Sequence, residues 1–478
     1  MSFNDLPPEL VTLVWRFVQP GDVLSLLLTC RRVRDLAGPC LVEHRQLQAQ
    51  YSKVLVPYDW TSTTLFPFVD DLWNSAYPKI LEIFHAPYRP EIDSVRTSNE
   101  VHAHIKDLVH RTGFPLFQEG DSIYPHDIVM ALSIWMLPSL ECIEMKPGPL
   151  YNIHGLMLPL ARSLVHQIVR GRDRTGDLAL RSLSSVSVVL SGSQRDQGVY
   201  FETFEIFLTL PSLRILKAAN LYFHEAWTGP NHCEPCGVTH LLLSNCFVTA
   251  EPLDRILRRC ANLKNFEYSH HCSRCTDPLS RPAYGHSALD YEIDRILHIL
   301  AKYAAATLQT LALDLDCFKH ISLEIGSLRP FASLKKLLLS KRFLLEENRV
   351  PRIVDVMPSS LQELEVRQWH EFQFSEPSGG LTLLSGLPAM RESHLPALRR
   401  VILGSDKPHV EIDILNSPGT VDRDETKLKR DFFSYVNSYD PENPLPNRYT
   451  LAEYITWVRY RSQSSMKFLA ERTQWLAP

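Results

Sequence analysis

Leu308-Gln309-Thr310-Leu311-Ala312-Leu313 and, twenty-six residues on, Leu334-Lys335-Lys336-Leu337-Leu338-Leu339 decide how this chain folds. Each hexad is apolar at its first, fourth and sixth positions. The last two lie two residues apart, the spacing of side chains that share one face of a strand. The pattern recurs, with substitutions, from Leu140, Leu183, Leu213, Val238, Leu263, Leu361 and Leu398. Successive starts are 43, 30, 25, 25, 45, 26, 27 and 37 residues apart. A period in this range is the signature of a stacked-repeat architecture, with the longer gaps as insertions.

These hexads resemble leucine-rich repeats, and Asn220 and Asn245 occupy the repeat's usual asparagine position. Each unit supplies a short strand with alternate residues inward, then a helix or irregular segment that returns the chain. Residues 252–260 and 291–303 read as such helices, 99–110 as another amphipathic helix, and 80–84 as an earlier strand of the same sheet. The Gly-, Ser- and Pro-rich stretch 373–393 reads as an exposed insertion, and the charge run 422–431 as a solvated helix face. After a proline stop at 440–446, Thr450-x-x-Glu453 is a capping box for a last helix that covers the open end of the stack. The expected fold class is α+β/α/β: three N-terminal helices, an irregular solenoid with a parallel sheet, and a C-terminal capping helix. The boundaries expected are 1–50, 51–135 (a helical linker or the N-terminal part of the repeats), 136–416 and 417–478. An unrelated α/β domain with leucine-rich strands is the competing reading.

Ahead of the repeats, Leu6-Pro7-Pro8-Glu9-Leu10 opens a helix, with proline in the first turn and an acid at the positive end. Leu6, Leu10, Leu13, Val14, Phe17 and Val18 form one stripe at helical period. Gln19-Pro20-Gly21 breaks this helix, and Asp22 caps the next. That second helix carries Val23, Leu24, Leu26, Leu27 and Leu28, then Cys30 and Val33, on more than one face. So much apolar surface in under fifty residues calls for burial against a partner. Arg31, Arg32 and Arg34 read as a solvated face.

Leu6-Pro7-x-Glu9-Leu10, Pro20-x-Asp22-Val23-Leu24 and Cys30-Arg31-x-Val33-Arg34 resemble the F-box in residue type, order and spacing. Val33 stands where many F-boxes carry an aromatic residue. The whole chain is similar to fungal-type F-box proteins with degenerate leucine-rich repeats. The resemblance implies docking onto the Skp adaptor of an SCF-type cullin–RING ubiquitin ligase. Leu6, Pro7, Leu10, Leu13, Val14, Pro20, Leu24, Leu27 and Val33 would then be adaptor-contacting or module-core positions.

The bulk composition is that of an ordinary soluble globular protein. Hydrophobic residues make up 45% and charged residues 22% of the 478, and the net charge is −4. With a pI near 6.6 there is no basic footprint for nucleic acid or an anionic membrane. No apolar run reaches the roughly 18–20 residues that cross a bilayer, and the acidic start lacks the order of a secretory signal. The expected location is the cytoplasm or nucleus, where the ten cysteines stay reduced.

Two Cys-x-x-Cys pairs, Cys233/Cys236 and Cys272/Cys275, flanked by His232, His270 and His271, have the donor set of a structural zinc site. Unliganded loop thiols are the other reading, because one pair precedes a strand and the other follows one. A redox thiol enzyme fits worse: Cys236 leads into Gly237 and a strand rather than a helix start. There is no P-loop, dinucleotide fingerprint, nucleophile elbow or His-Glu-x-x-His pattern. Carboxylate pairs such as Asp314/Asp316 are explained by strand alternation, so no catalytic residue is named. Outward strand positions (Lys217, Glu267, Lys336, Glu363, Glu365, Arg367, Arg400) alternate in sign and define neither an acidic nor a basic ligand. The expectation is a non-enzymatic substrate receptor whose repeats bind a protein substrate; an adaptor-binding scaffold without ubiquitination is the alternative.

Overall fold

The computed structural model describes residues 5–18, 22–57, 74–84, 131, 134–135, 137–146, 180–189, 207–219, 222–223, 235–248, 250–270, 293–315, 327–340, 352–367, 393–403 and 410–413. The chain divides into two compact units, residues 1–240 and 241–478.

All nine hexads form strands. In the first unit β1 (Lys53–Pro57), β2 (Ile80–Phe84), β3 (Cys142–Met145), β4 (Ser185–Val189) and β5 (Ile215–Ala219) lie side by side, all parallel. A two-residue strand, β6 (Tyr222–Phe223), follows. The second unit carries β7 (His240–Ser244), the two-residue β8 (Phe247–Val248), β9 (Asn265–His270), β10 (Thr310–Leu315), β11 (Lys336–Ser340), β12 (Glu363–Arg367) and β13 (Arg400–Leu403). From β9 to β13 each long strand pairs in parallel with the next, and β14 (Val410–Asp413) closes on β13 antiparallel.

The register stacks like on like. Leu81, Ile143, Val186 and Leu216 are successive partners in the first unit, as are Phe266, Leu311, Leu337, Leu364 and Val401 in the second; all are buried. Because side chains alternate across a strand, one slip would turn this whole row to solvent. The apolar period therefore fixes the register.

A repeated turn precedes the strands. The N–H groups of Leu140, Leu183, Leu213, Leu263, Leu334, Leu361 and Leu398 each donate to the carbonyl three residues earlier. Those acceptors include Leu137, Leu180, Leu210, Cys260, Phe331 and Leu395, all buried, so the repeat has a further apolar position three residues before its first leucine. One carbonyl per repeat then accepts two N–H groups of the next: Glu141 from Ser184 and Ser185, Lys264 from Gln309 and Thr310, Lys335 from Gln362 and Glu363. A hydroxyl just before the first leucine adds a third tie. Ser212 donates to the Leu183 carbonyl, Thr307 to that of Leu263 and Ser360 to that of Leu334, each at 2.8 Å. Backbone polar groups at the sheet's lower edge are thus satisfied by the neighbouring repeat.

The N-terminal helices are α1 (Pro8–Arg16), α2 (Val23–Leu27), α3 (Arg31–Leu36) and α4 (Gly38–Tyr51). Ser52 alone separates α4 from β1, and its carbonyl accepts the N–H groups of Lys79 and Ile80, both at 3.0 Å. Higher up α4, His44 Nδ1 and the Tyr77 hydroxyl, both buried, meet at 2.6 Å. Residues 51–135 thus contain β1 as well as the expected β2. In the second unit α5 (Ala250–Arg259) and α6 (Ile293–Ala304) pack together as return helices, burying Leu253, Ile256 and Leu257 with Ile296, Leu297 and Leu300. A short α7 (Ile353–Val356) precedes β12. The readings at 99–110, 373–393, 422–431 and 450 onward lie outside the described residues.

Candidate functional site

Candidate contact residues cluster in the N-terminal helices, which have a core of their own. Val11, Trp15, Val33, Ala37 and Cys40 are buried, with Leu6, Val18, Val23, Leu26, Leu27 and Leu36 packed half-buried against them. Pro7 sets up the first turn: its carbonyl accepts from both Leu10 and Val11 at 3.1 Å. The indole of Trp15 donates to the Val33 carbonyl, and Arg32 donates to that of Leu6 at 2.7 Å, tying α3 to α1.

The buried face of α1 is therefore Val11 and Trp15, not the stripe that the sequence suggests. Of that stripe Leu6, Val14 and Val18 are half-buried, while Leu10, Leu13 and Phe17 are exposed. Leu10, Leu13 and Phe17 are 45%, 47% and 74% exposed, and on α2 Leu24 and Leu28 are 66% and 78% exposed. Val42 and Leu55 complete the exposed large hydrophobics, so among the described residues all of them fall between positions 10 and 55. No residue of α2 is fully buried. Full burial of a leucine or phenylalanine side chain is worth roughly 1.5–3 kcal/mol, so five exposed on one small module favour its being covered.

The expected contact residues separate by position. Pro7, Leu10, Leu13 and Leu24 face solvent; Leu6, Val14 and Leu27 are half-buried; Val33 is wholly core. Pro20 lies outside the described residues. Phe17 and Leu28, the most exposed of all, were not singled out as contacts; both lie at α-helical spacing from Leu13 and Leu24.

The outward face of the sheet neutralises itself. Lys336, Glu363 and Arg400 are successive cross-strand partners, and Lys336 Nζ lies 3.0 Å from a Glu363 oxygen. In the first unit Glu82, only 5% exposed, sits between Lys53, at 2.7 Å, and Lys146. The Lys53 contact is an ion pair without a well-directed hydrogen bond to Oε2. Burial pushes the Glu82 carboxyl up, but the bonds and charges of Lys146 and Lys53 outweigh it and hold its pKa below the ordinary value. Opposite charges directly across a sheet serve pairing more than recognition.

At the end of β7, Asn245 adopts φ 54°, a left-handed conformation that asparagine tolerates, and its N–H donates to Ser269 Oγ at 3.0 Å. Asn220 lies outside the described residues. Of the four candidate zinc ligands Cys236 is buried, while Cys233, Cys272 and Cys275 lie outside the described residues. Among the described residues no cluster of three or more His, Cys, Asp or Glu is placed to hold a metal, and no helix is long and apolar enough to cross a membrane.

Residues 166–442 match a family model described as a leucine-rich repeat domain. No curated protein matches the chain. The strands β1 to β3 continue the same parallel pairing on the N-terminal side of the matched span.

Proposed function

The chain belongs to the leucine-rich repeat domain family, and from that premise we propose that it is a substrate receptor of an SCF-type ubiquitin ligase. The repeats supply a protein-binding scaffold. The N-terminal helices act as an F-box that docks a Skp-type adaptor and, through it, a cullin. The observation that carries the reading is that, among the described residues, every exposed large hydrophobic but Leu55 lies on this module, whose residues resemble the F-box pattern. The protein is not itself an enzyme in this reading; it works in the cytoplasm or nucleus by holding a substrate near catalytic subunits, where proximity supplies the rate.

The test is recovery of adaptor and cullin with the full chain, followed by ubiquitination of co-purified proteins in vitro. Proteins that accumulate when the first fifty residues are deleted would be its substrates. If neither adaptor nor cullin is recovered, the receptor reading fails and a general interaction scaffold remains.

A further inference from the structure

An open cleft of about 540 Å³ lies in the N-terminal module, lined by Pro8, Cys30, Arg31, Arg32, Asp35 and Leu36. Its lining lies close in sequence to the exposed apolar residues. Pro8 begins the helix that carries Leu10 and Leu13, and Cys30 comes two residues after Leu28. Cleft and exposed leucines thus belong to the same small helical module.

The charges in and beside the cleft are unbalanced: Arg31 and Arg32 line it with Asp35, and Arg34 lies outside the lining. Arg31 and Arg34, 86% and 61% exposed, share one carboxylate, that of Asp35, at 3.6 and 3.9 Å. Both distances exceed a hydrogen bond, so neither fork is engaged by Asp35. Arg32 is held in the wall by its bond to the Leu6 carbonyl, which fixes a third positive charge there. A planar guanidinium that keeps its donors in water is suited to a bidentate carboxylate.

We propose that this cleft receives an aspartate or glutamate side chain from the protein that covers the apolar patch, with Arg31 gripping it and Arg34 adding charge. The proposal rests on the docking reading above and gives that partner its chemistry: an apolar ridge flanked by an acidic segment. An anionic membrane fits less well, because Asp35 shares the lining with Arg31 and Arg32 and an anionic surface would repel it.

The experiment measures affinity of the full chain for a purified Skp-type adaptor at low and high ionic strength. The double variant Arg31→Glu/Arg34→Glu is expected to bind about 10- to 100-fold more weakly at low ionic strength, as for other close interfacial charge pairs. The deficit should shrink at high salt, where exposed charges are screened. Arg31→Lys, which keeps the charge and loses the fork, is expected to fall in between. Leu24→Asp tests the docking reading separately. If Leu24→Asp abolishes binding while the double variant stays within about twofold of wild type at low ionic strength, the cleft is a solvated face and the proposal is overturned. If Leu24→Asp leaves the affinity unchanged, the docking reading falls and takes the proposal with it. Binding to phosphatidylserine vesicles that the double variant abolishes, with adaptor affinity unchanged, also overturns it.

Discussion

The indole nitrogen of Trp15 donates a 3.2 Å hydrogen bond to the main-chain oxygen of Val33, eighteen residues along the chain, and both side chains are fully buried. This contact sorts the N-terminal apolar residues into two sets: those that build the module and those that it presents. Trp15→Ala removes the largest member of that core and should cost about 3–5 kcal/mol. The expected result is loss of amide-exchange protection in α1–α3, with protection in β3–β5 retained. Equal loss in both would mean that the module has no core of its own.

Leu10 and Val33 should respond oppositely to the same change. Leu10→Asp alters a half-exposed position and is expected to move stability by no more than about 0.5 kcal/mol, while adaptor capture is lost. Val33→Asp buries a carboxylate without a partner and should unfold the module, at a cost of about 3 kcal/mol or more. Urea unfolding alongside adaptor pull-down separates the two outcomes.

Glu82 makes the first unit sensitive to acid. Its folded pKa lies below the unfolded one, so its contribution is complete above the unfolded carboxylate value and is lost as pH falls through the folded value. Wild type should therefore lose more stability than Glu82→Gln between about pH 6 and pH 3, and the two should converge at the acid end. Parallel pH dependences would show that the two lysines contribute nothing through this carboxylate.

Gly237 has no room for a side chain. An added Cβ would stand 1.8 Å from Arg214 Nη1, 2.7 Å from the Pro211 carbonyl oxygen and 2.9 Å from that of Leu213. The arginine can swing away, but the two carbonyls belong to the repeat turn and cannot. Gly237→Ala should destabilise by about 1–3 kcal/mol, read as a lower urea midpoint at unchanged slope.

The hydroxyl ties should act locally and alike. Thr307→Val and Ser360→Ala each remove one donor to the preceding repeat and are expected to cost about 0.5–1.5 kcal/mol. Their sites are two repeats apart, so the double variant should be additive to within about 0.5 kcal/mol. A large non-additive term would mean that the repeats unfold as one block.

The strands were legible because two constraints agree at each one: a leucine at fixed offset and alternation at period two. The apolar position at Leu137, Leu210 or Phe331 was equally present in the sequence, three residues before each first leucine, but it belongs to a turn and has no strand or helix period. β1 was missed because Lys53-Val54-Leu55-Val56-Pro57 lacks the leading leucine and ends in proline. The sequence could not separate core from contact positions on α1, for a physical reason. Both faces are apolar, one packed inward at Val11 and Trp15 and one exposed at Leu10, Leu13 and Phe17, so an apolar count does not tell them apart. Even so, the excess of apolar surface, which pointed to a partner, is the property that the exposed Leu10, Leu13, Phe17, Leu24 and Leu28 display. The cleft at Arg31 could not be foreseen, since three arginines near a helix say nothing of the hollow between them.

The one-residue junction at Ser52 bears on how this protein can be cut and recombined. A division after residue 50 runs through the last turn of α4, and a fragment begun past Ser52 would strip Lys79 and Ile80 of their shared acceptor. The helices are thus not a detachable cassette. A chimaera that keeps the native first strand must carry its own α4, and grafting the module onto foreign repeats means transplanting β1 and β2 with it.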